Sequence, residues 1–301
     1  MSAINPYIRR REPIVVGIDG SDATIHAVRW AAAEAARRGL PLRLVHANTM
    51  PVFGYPPMIE TRSLHELMTE QARGWLRAAA ETAARAAPGV EVHTELRSTG
   101  PVPLLTEESR HARMVVVGSR GLGGVPRLLL GSTAEGLTGH ARCPVAVVPS
   151  TPFPASDAPV VVGVDGSPVS DAAVAVAYDE ASTRNVGLVA VHAWSDQPVT
   201  DPFALLLTLE DWAQVEDRER RALAEQLAGW RDKYPDVEVR RVLEKDRPAA
   251  SLLAHAVDAQ LLVVGSRGRG GFTSALLGST SRAVLHHTPC PVIVVGPDRE
   301  D

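Results

Sequence analysis

The sequence predicts an α/β protein built from two similar domains, each with a five-stranded parallel sheet that has helices on both faces. Its 301 residues are enough for two domains of about 150 residues each. A sixteen-residue stretch, GSRGLGGVPRLLLGST at Gly118–Thr133, returns 147 residues later as GSRGRGGFTSALLGST at Gly265–Thr280, with eleven identical positions. Within each copy, short Val-rich strand patterns alternate with helical patterns, and this alternation is typical of a parallel sheet wrapped by helices.

The duplication covers nearly the whole chain. The segment IVVGIDGS at Ile14–Ser21 returns as VVVGVDGS at Val160–Ser167, 146 residues later. CPVAVV, which begins at Cys143, returns as CPVIVV from Cys290 at an offset of 147 residues. We therefore predict domains at residues 1–150 and 158–301, joined by a segment rich in Pro and Ser at residues 149–159.

The elements follow one another in a strand–helix order. Ile14–Ile18 is a β-branched run, and the helix after it has apolar residues at helical spacing and stops at Gly39. The predicted strands of the first copy are Ile14–Ile18, Leu42–Ala47, Val90–Arg97, Met114–Gly118 and Val145–Val148, and those of the second begin near Val160, Leu188, Val237, Leu261 and Val292. The predicted helices of the first copy are Ala23–Arg38, a long helix that ends near Pro88, Pro101–Ala112 and Ser132–Ala141.

Two strand ends in each copy have unusual residues. The first strand runs into Asp-Gly-Ser, and the fourth runs into a loop with the spacing Gly-x2-Gly-x9-Gly-Ser. Ligands of doubly wound sheets bind outside the carboxyl ends of the strands, where the strand order reverses. Glycines let the backbone approach a ligand, and the helix that opens at Gly131-Ser132-Thr133 offers free N–H groups and hydroxyls to an anion. The loop has the form of a phosphate cradle.

Simpler interpretations remain open at this point. Ser132 or Thr133 could be only the N-cap of the following helix, and Asp19 could bond only its own turn, with Ser21 or Asp22 as the N-cap. The length of the loop favours a ligand, because a plain connection between a strand and a helix needs only about two to six residues.

The glycine pattern, the aspartate after the first strand and the five strands resemble the universal stress protein family in its tandem, two-domain form known from actinobacteria. The resemblance covers Ile14 to Gly296. It implies a Rossmann-like fold of the adenine nucleotide alpha hydrolase-like type in each half. In that family the glycine motif marks the members that bind ATP, so the resemblance implies two ATP sites per chain.

The resemblance also implies which residues line these sites. Asp19 and Asp165 would lie beside the ribose or the adenine. The base and ribose would be lined by Val45, Ala47 and Val117 in the first half and by Val191, Ala193 and Val264 in the second. The triphosphate would be held by Gly118, Gly121, Gly131, Ser132 and Thr133, and by Gly265, Gly268, Gly278, Ser279 and Thr280.

The arginines of the two loops differ. Arg120 and Arg267 match, but Arg127 of the first loop is replaced by Ser274, and Arg269 of the second stands opposite Leu122. Arg127 is a candidate partner of the ATP phosphates, and these arginines could equally be solvated loop residues. We therefore expect the two sites to differ in affinity.

Several classes of function are disfavoured. A net charge of -4 provides no basic footprint for nucleic acid, no apolar run is long enough to span a membrane, and the N-terminus has no signal-peptide pattern, so we expect a cytoplasmic protein. No catalytic residue is assigned, because the chain has no Walker A lysine, HExxH, GxSxG or Cys-x-x-Cys pattern. His46 and His192 are expected to be half-buried and locally hydrogen-bonded, and Cys143 and Cys290 to be buried at strand starts.

Two functions of different classes fit these features. The first is a regulatory module in which ATP biases a state that an unknown protein partner reads, and the resemblance implies low-oxygen or dormancy-type stress as its setting. The second is a slow ATPase or nucleotidyl transferase, and pockets that have lost their ligand are a third possibility. The last strand of each half is expected at a sheet edge, where the resemblance implies pairing of the halves and a further homodimer. Whether Mg²⁺ accompanies ATP is left open.

Overall fold

The computed structural model describes residues 12–49, 61–121, 130–194, 209–269 and 277–297. Two compact units divide this part of the chain between Ser150 and Thr151. The segment at residues 149–159 contains no helix or strand, as its composition predicts. Arg127 lies outside the described residues, as do residues 50–60 and 195–208.

The first unit follows the predicted order of elements. Its strands are β1 (Ile14–Ile18), β2 (Leu42–Ala47), β3 (Val92–Arg97), β4 (Met114–Gly118) and β5 (Val145–Val148). Its helices are α1 (Asp22–Arg38), α2 (Thr61–Ala86), α3 (Pro101–Glu108) and α4 (Ser132–His140). The strands β1, β4 and β5 are buried along almost their whole length, which explains why they appear in the sequence as continuous apolar runs.

The strands of the first unit are parallel and lie in the order β3-β2-β1-β4-β5. Right-handed crossovers place α1 and α2 on one face of this sheet and α3 and α4 on the other, and the helices of each pair contact one another. The order reverses between β1 and β4, so the carboxyl ends of these two strands form the switch point at which such sheets bind ligands.

The second unit repeats this arrangement. Its strands are β6 (Val160–Gly163), β7 (Leu188–Ala193), β8 (Val239–Glu244), β9 (Leu261–Gly265) and β10 (Val292–Val295). Its helices are α5 (Pro168–Arg184), α6 (Leu209–Gln226), α7 (Trp230–Lys233), α8 (Pro248–Ala256) and α9 (Ser279–His287). The parallel order is β8-β7-β6-β9-β10, with the switch point between β6 and β9. In each unit the fifth strand along the sequence stands at one end of the unit's strand order.

Two predicted boundaries of the first copy were wrong by two residues or more, and two others were wrong by one residue, because α1 begins at Asp22 rather than Ala23 and α4 ends at His140 rather than Ala141. The third strand begins at Val92 rather than at Val90, because Gly89 adopts φ +93° in a turn and the pairing with β2 starts at Leu42 opposite Val92. The helix α3 ends at Glu108 rather than at Ala112, because the N–H groups of Arg110 and His111 bond carbonyls only three residues back. None of these differences moves a residue of the candidate site.

Candidate functional site

A cavity of about 360 Å³ lies at the switch point of the first unit. Three strand ends and the starts of three helices, α1, α3 and α4, surround it. Its lining includes nine of the predicted residues, namely Asp19, Val45, Ala47, Val117, Gly118, Gly121, Gly131, Ser132 and Thr133. The structure thus brings together every predicted residue of the first half except Arg127, which lies outside the described residues. A volume of this size is within the range of small-molecule and cofactor sites.

One side of the cavity is apolar. Val45 and Val117 come from β2 and β4, and Leu104 and Leu105 come from the first turns of α3. Gly17 of β1 leaves room for Leu105, because a Cβ at Gly17 would lie 3.0 Å from Leu105 Cδ1. An apolar wall of this kind suits the faces of a flat heterocyclic ring.

Another part of the lining consists of backbone N–H groups and hydroxyls at the start of α4. The helix α4 begins at Ser132 with Gly131 as its N-cap, and no side chain caps its first N–H groups. The alternative that Ser132 or Thr133 is the N-cap is therefore wrong. The Gly131 N–H bonds the Ser119 carbonyl oxygen at 2.8 Å, which holds the loop against the start of the helix. This part of the lining suits an anionic group.

Asp19 also lines the cavity. Its Oδ1 accepts hydrogen bonds from the backbone N–H of Ser21 at 3.0 Å, the Ser21 hydroxyl at 2.7 Å and the Thr24 hydroxyl. The Ser21 hydroxyl also caps α1, so the expectation that Ser21 is the N-cap is confirmed. A Cβ at Gly121 would lie 2.5 Å from Asp19 Oδ2, which is why the glycine loop can reach the carboxylate. Asp19 thus bonds its own turn and also faces the cavity.

Sequence reasoning missed the aromatic ring that covers Gly20. This glycine adopts φ +80°, and a Cβ there would overlap the Trp75 indole of α2. The same indole meets the edge of the His46 ring, with the ring centroids 5.4 Å apart. His46 bonds the Ile18 carbonyl oxygen through Nδ1 at 2.6 Å and is 8% exposed, so it is buried rather than half-buried. The sequence pattern around His46 does not indicate that Trp75, about thirty positions later in α2, contacts it.

The second unit reproduces the backbone of this site. Asp165 Oδ1 accepts the Ser167 N–H at 2.9 Å, Ser167 caps α5, and a Cβ at Gly268 would overlap Asp165 Oδ2. Gly278 is the uncapped start of α9, as Gly131 is of α4. The predicted residues Val191, Ala193, Val264, Gly265, Ser279 and Thr280 occupy the corresponding ends of β7 and β9 and the start of α9.

The side chains around the second site differ from those of the first. The Arg269 guanidinium, instead of an indole, lies over Gly166. His192 is buried and bonds both the Val164 carbonyl oxygen and Glu219 of α6. The two halves therefore share the backbone of the cradle, but the side chains that lie over its first glycine differ in chemistry.

A second polar cluster lies at the end of β8. Glu244 accepts hydrogen bonds from the buried Ser251 hydroxyl and from His255 Nε2, the latter at 2.9 Å. The Ser251 hydrogen bond, more than the His255 contact, lowers the pKa of Glu244. At the 147-residue offset, Ser251 stands where Leu104 lines the first cavity.

Both cysteines are buried, as expected. Desolvation raises the pKa of the Cys290 thiol to about 11. Within the described ranges, no group of three His, Cys, Asp or Glu side chains is placed to hold a metal ion. None of the described helices combines the length and the apolar character that crossing a membrane requires.

Fold and site define a tandem α/β protein with a ligand cradle at the switch point of each doubly wound unit. The sequence model of the universal stress protein family matches residues 10–149 and again residues 158–296. The chain belongs to the universal stress protein family. A universal stress protein of Mycobacterium tuberculosis is 45% identical over 292 residues, which are 95% of this chain and 97% of the relative.

Other relatives agree with this assignment. A universal stress protein of Mycolicibacterium smegmatis is 43% identical over 289 residues, which are 94% of this chain and 97% of the relative. Among solved structures, a universal stress protein of Archaeoglobus fulgidus matches 95% of this chain and 96% of its own with a TM-score of 0.66 and 22% identity. This structural likeness supports the fold.

Proposed function

We propose that this universal stress protein binds ATP in each half and acts as a nucleotide-dependent regulatory module. The observation that carries the proposal is the cavity of the first unit, which joins an apolar wall to a glycine and hydroxyl edge at the switch point. An adenine ring fits the wall of Val45, Val117 and Leu104, and phosphates fit the start of α4. Asp19, which lines the same cavity, would accept a hydrogen bond from a ribose hydroxyl.

The residues of the chain would hold ATP without performing a chemical step on it. In the first half, the glycine loop and the uncapped start of α4 would donate to phosphate oxygens, and Arg120 at the cavity edge would add positive charge. Because a bound nucleotide would contact the strand ends and the start of α4 together, occupancy would be a signal that a partner can read. Low-oxygen or dormancy-type stress is the proposed setting, and a homodimer is the proposed assembly.

The proposal is tested by titrating nucleotide-stripped protein with ATP in a calorimeter, with and without Mg²⁺. We expect two ATP per chain. Asp19→Ala should weaken the first site by about tenfold or more, and Asp165→Ala should do the same to the second. Asp22→Ala is the matched control, because Asp22 lies exposed in the first turn of α1 and carries the same charge without facing the cavity.

Asp19→Ala also removes the acceptor of three hydrogen bonds, so thermal unfolding must show that each variant is folded. Asp19→Asn keeps an acceptor oxygen and separates loss of the charge from loss of the turn. Absence of binding in the folded wild-type protein would refute the proposal. Steady release of phosphate or of an adenylated product at saturating ATP would favour the enzyme over the regulatory module.

A further inference from the structure

Three side chains, those of Arg269, Glu219 and His192, form a charged cluster beside the cradle of the second half. The guanidinium of Arg269 lies over Gly166, with Nη1 at 3.8 Å from Glu219 Oε2. The same carboxylate oxygen lies 2.8 Å from His192 Nε2. The backbone N–H of Arg269 bonds Asp165 Oδ2 at 3.2 Å, so the residue is anchored at the aspartate of the site.

Glu219 has a second polar partner in this cluster. His192 Nδ1 lies 2.7 Å from the Val164 carbonyl oxygen, and the buried ring presents its other nitrogen, Nε2, to Glu219 Oε2 at 2.8 Å. Glu219 therefore has a hydrogen-bond partner that does not depend on Arg269.

The contact between Arg269 and Glu219 is the weaker of the two contacts that Glu219 makes in this cluster. At 3.8 Å it is within ion-pair range but too long for a hydrogen bond. The Arg269 side chain is 54% exposed, so water screens the pair. A phosphate that meets the guanidinium directly makes shorter, charge-assisted and often bidentate hydrogen bonds. Exchange of Glu219 for a phosphate is favourable, and it leaves Glu219 hydrogen-bonded to His192.

The described residues of the first half contain no counterpart of this charged cluster. The Trp75 indole covers Gly20 there, and the position 147 residues before Glu219 is the buried Ala72. Arg269 stands opposite Leu122 in the sequence. In the part of the chain that the structure describes, a charged cluster next to the cradle therefore belongs to the second half.

We propose that Arg269 is the phosphate-recognising residue of the second site, and that Glu219 holds it in reserve until a nucleoside polyphosphate replaces the carboxylate. The inference rests on the proposed function, because it names the residue that selects for phosphates at one of the two sites. It makes binding in the second half depend on the phosphates of the ligand more than on its base.

The test measures ligand affinity in the Asp19→Ala background, in which the first site is weakened by about tenfold or more, and a two-site fit assigns the site that keeps its affinity to the second half. ATP and adenosine are the two probes. Arg269→Ala should weaken ATP by about tenfold and leave adenosine unchanged. Glu219→Gln, which keeps the shape of the side chain, should strengthen ATP by about two- to fivefold and leave adenosine unchanged.

Matched controls lie on the exposed face of the same helix. Glu216→Gln and Arg220→Ala make the same changes of charge on α6, where these two side chains pair with one another at 2.6 Å. Neither control should change the affinity for ATP. Equal effects of the controls and of the test variants would mean that net charge alone acts, and would overturn the inference.

Other outcomes also decide the inference. If Arg269→Ala strengthens ATP, or shifts adenosine as much as ATP, the side chain only blocks the site and the proposal is wrong. A second half that binds no ATP as wild type and none as Glu219→Gln also overturns it, while ATP binding in the first half would still support the proposed function there. A wild-type chain that binds no ATP in either half refutes both.

Discussion

Gly121→Ala is expected to damage the first site through Asp19. The new Cβ would lie 2.5 Å from Asp19 Oδ2, whereas real Cβ contacts are essentially never shorter than 3.0 Å. The carboxylate must therefore move by about 0.5 Å or the loop must retreat from it. The backbone of Gly121 does not have the positive φ that would strain an alanine, so the contact with Asp19 is the main cause of the effect.

The size of the effect follows from what holds Asp19 in place. Its Oδ1 accepts two hydrogen bonds from Ser21 and one from Thr24. Hydrogen bonds to a charged group contribute about 1.5 to 3 kcal/mol each, but this group is partly exposed and water can replace part of what is lost. We expect the free energy of unfolding to fall by about 1 to 2 kcal/mol, which corresponds to a fall in Tm of about 2 to 8 °C for this unit.

Calorimetry of ATP binding and thermal unfolding together provide the assay. Gly121→Ala should lower both the affinity of the first half for ATP and the Tm. Gly74→Ala is the control, because its Cβ would meet nothing closer than 4.0 Å in the interior of α2. Replacing a helical glycine there should stabilise by about 0.5 to 1 kcal/mol and leave ATP binding unchanged. A Gly121→Ala protein with wild-type affinity and Tm would refute the argument.

Three further predictions concern stability and reactivity. Ser21→Ala should lower the free energy of unfolding by about 1 kcal/mol, because α1 loses its N-cap, and Ser21→Gly should lower it by less; chemical denaturation that ranks the two variants the other way would contradict this. The folded pKa of Glu244 is lowered, so its contribution to stability is present above the unfolded pKa and is lost as the pH falls through the folded value. Ser251→Ala removes the main cause of this shift and should make the fall in Tm between about pH 6 and pH 3.5 shallower than in the wild type, whereas parallel curves would count against the assignment. The Cys290 thiol, with a pKa of about 11 and no exposed surface, should react with iodoacetamide only after unfolding, and labelling of the folded protein at the rate of the unfolded one would disprove it.

The fold was largely predictable because its signals are local. The run Ile14–Ile18 is a strand since five consecutive residues with β-branched or small side chains pack between two layers of helices. Gly39 ends α1 because it adopts the left-handed conformation that most residues avoid. The ends of the third strand and of α3 were not predictable to the residue, since a turn at Gly89 and three-residue hydrogen bonds after Glu108 decide them.

The backbone of the candidate site was predictable from the sequence, but the side chains that lie over it were not. The aspartate turn and the glycine loop have the same sequence motifs in both halves. The structure places the residues of these motifs around a cavity in the first half. Thr24, Leu104 and Leu105 were not singled out, because their periodicity is that of ordinary helix residues. These three residues line the cavity only because the starts of α1 and α3 lie beside the strand ends in the folded protein.

The sequence by itself determined the duplication, the order of strands and helices and the two glycine loops, because repeated motifs, local periodicity and glycine spacing can be read directly from the order of the residues. Only the tertiary structure decided what covers each cradle. Trp75 reaches Gly20 from 55 positions away, and Arg269 reaches Gly166 from 103 positions away. Such contacts leave no local pattern, since they depend on how whole helices and loops pack across the sheet, and through them two nearly identical backbones acquire different chemistry.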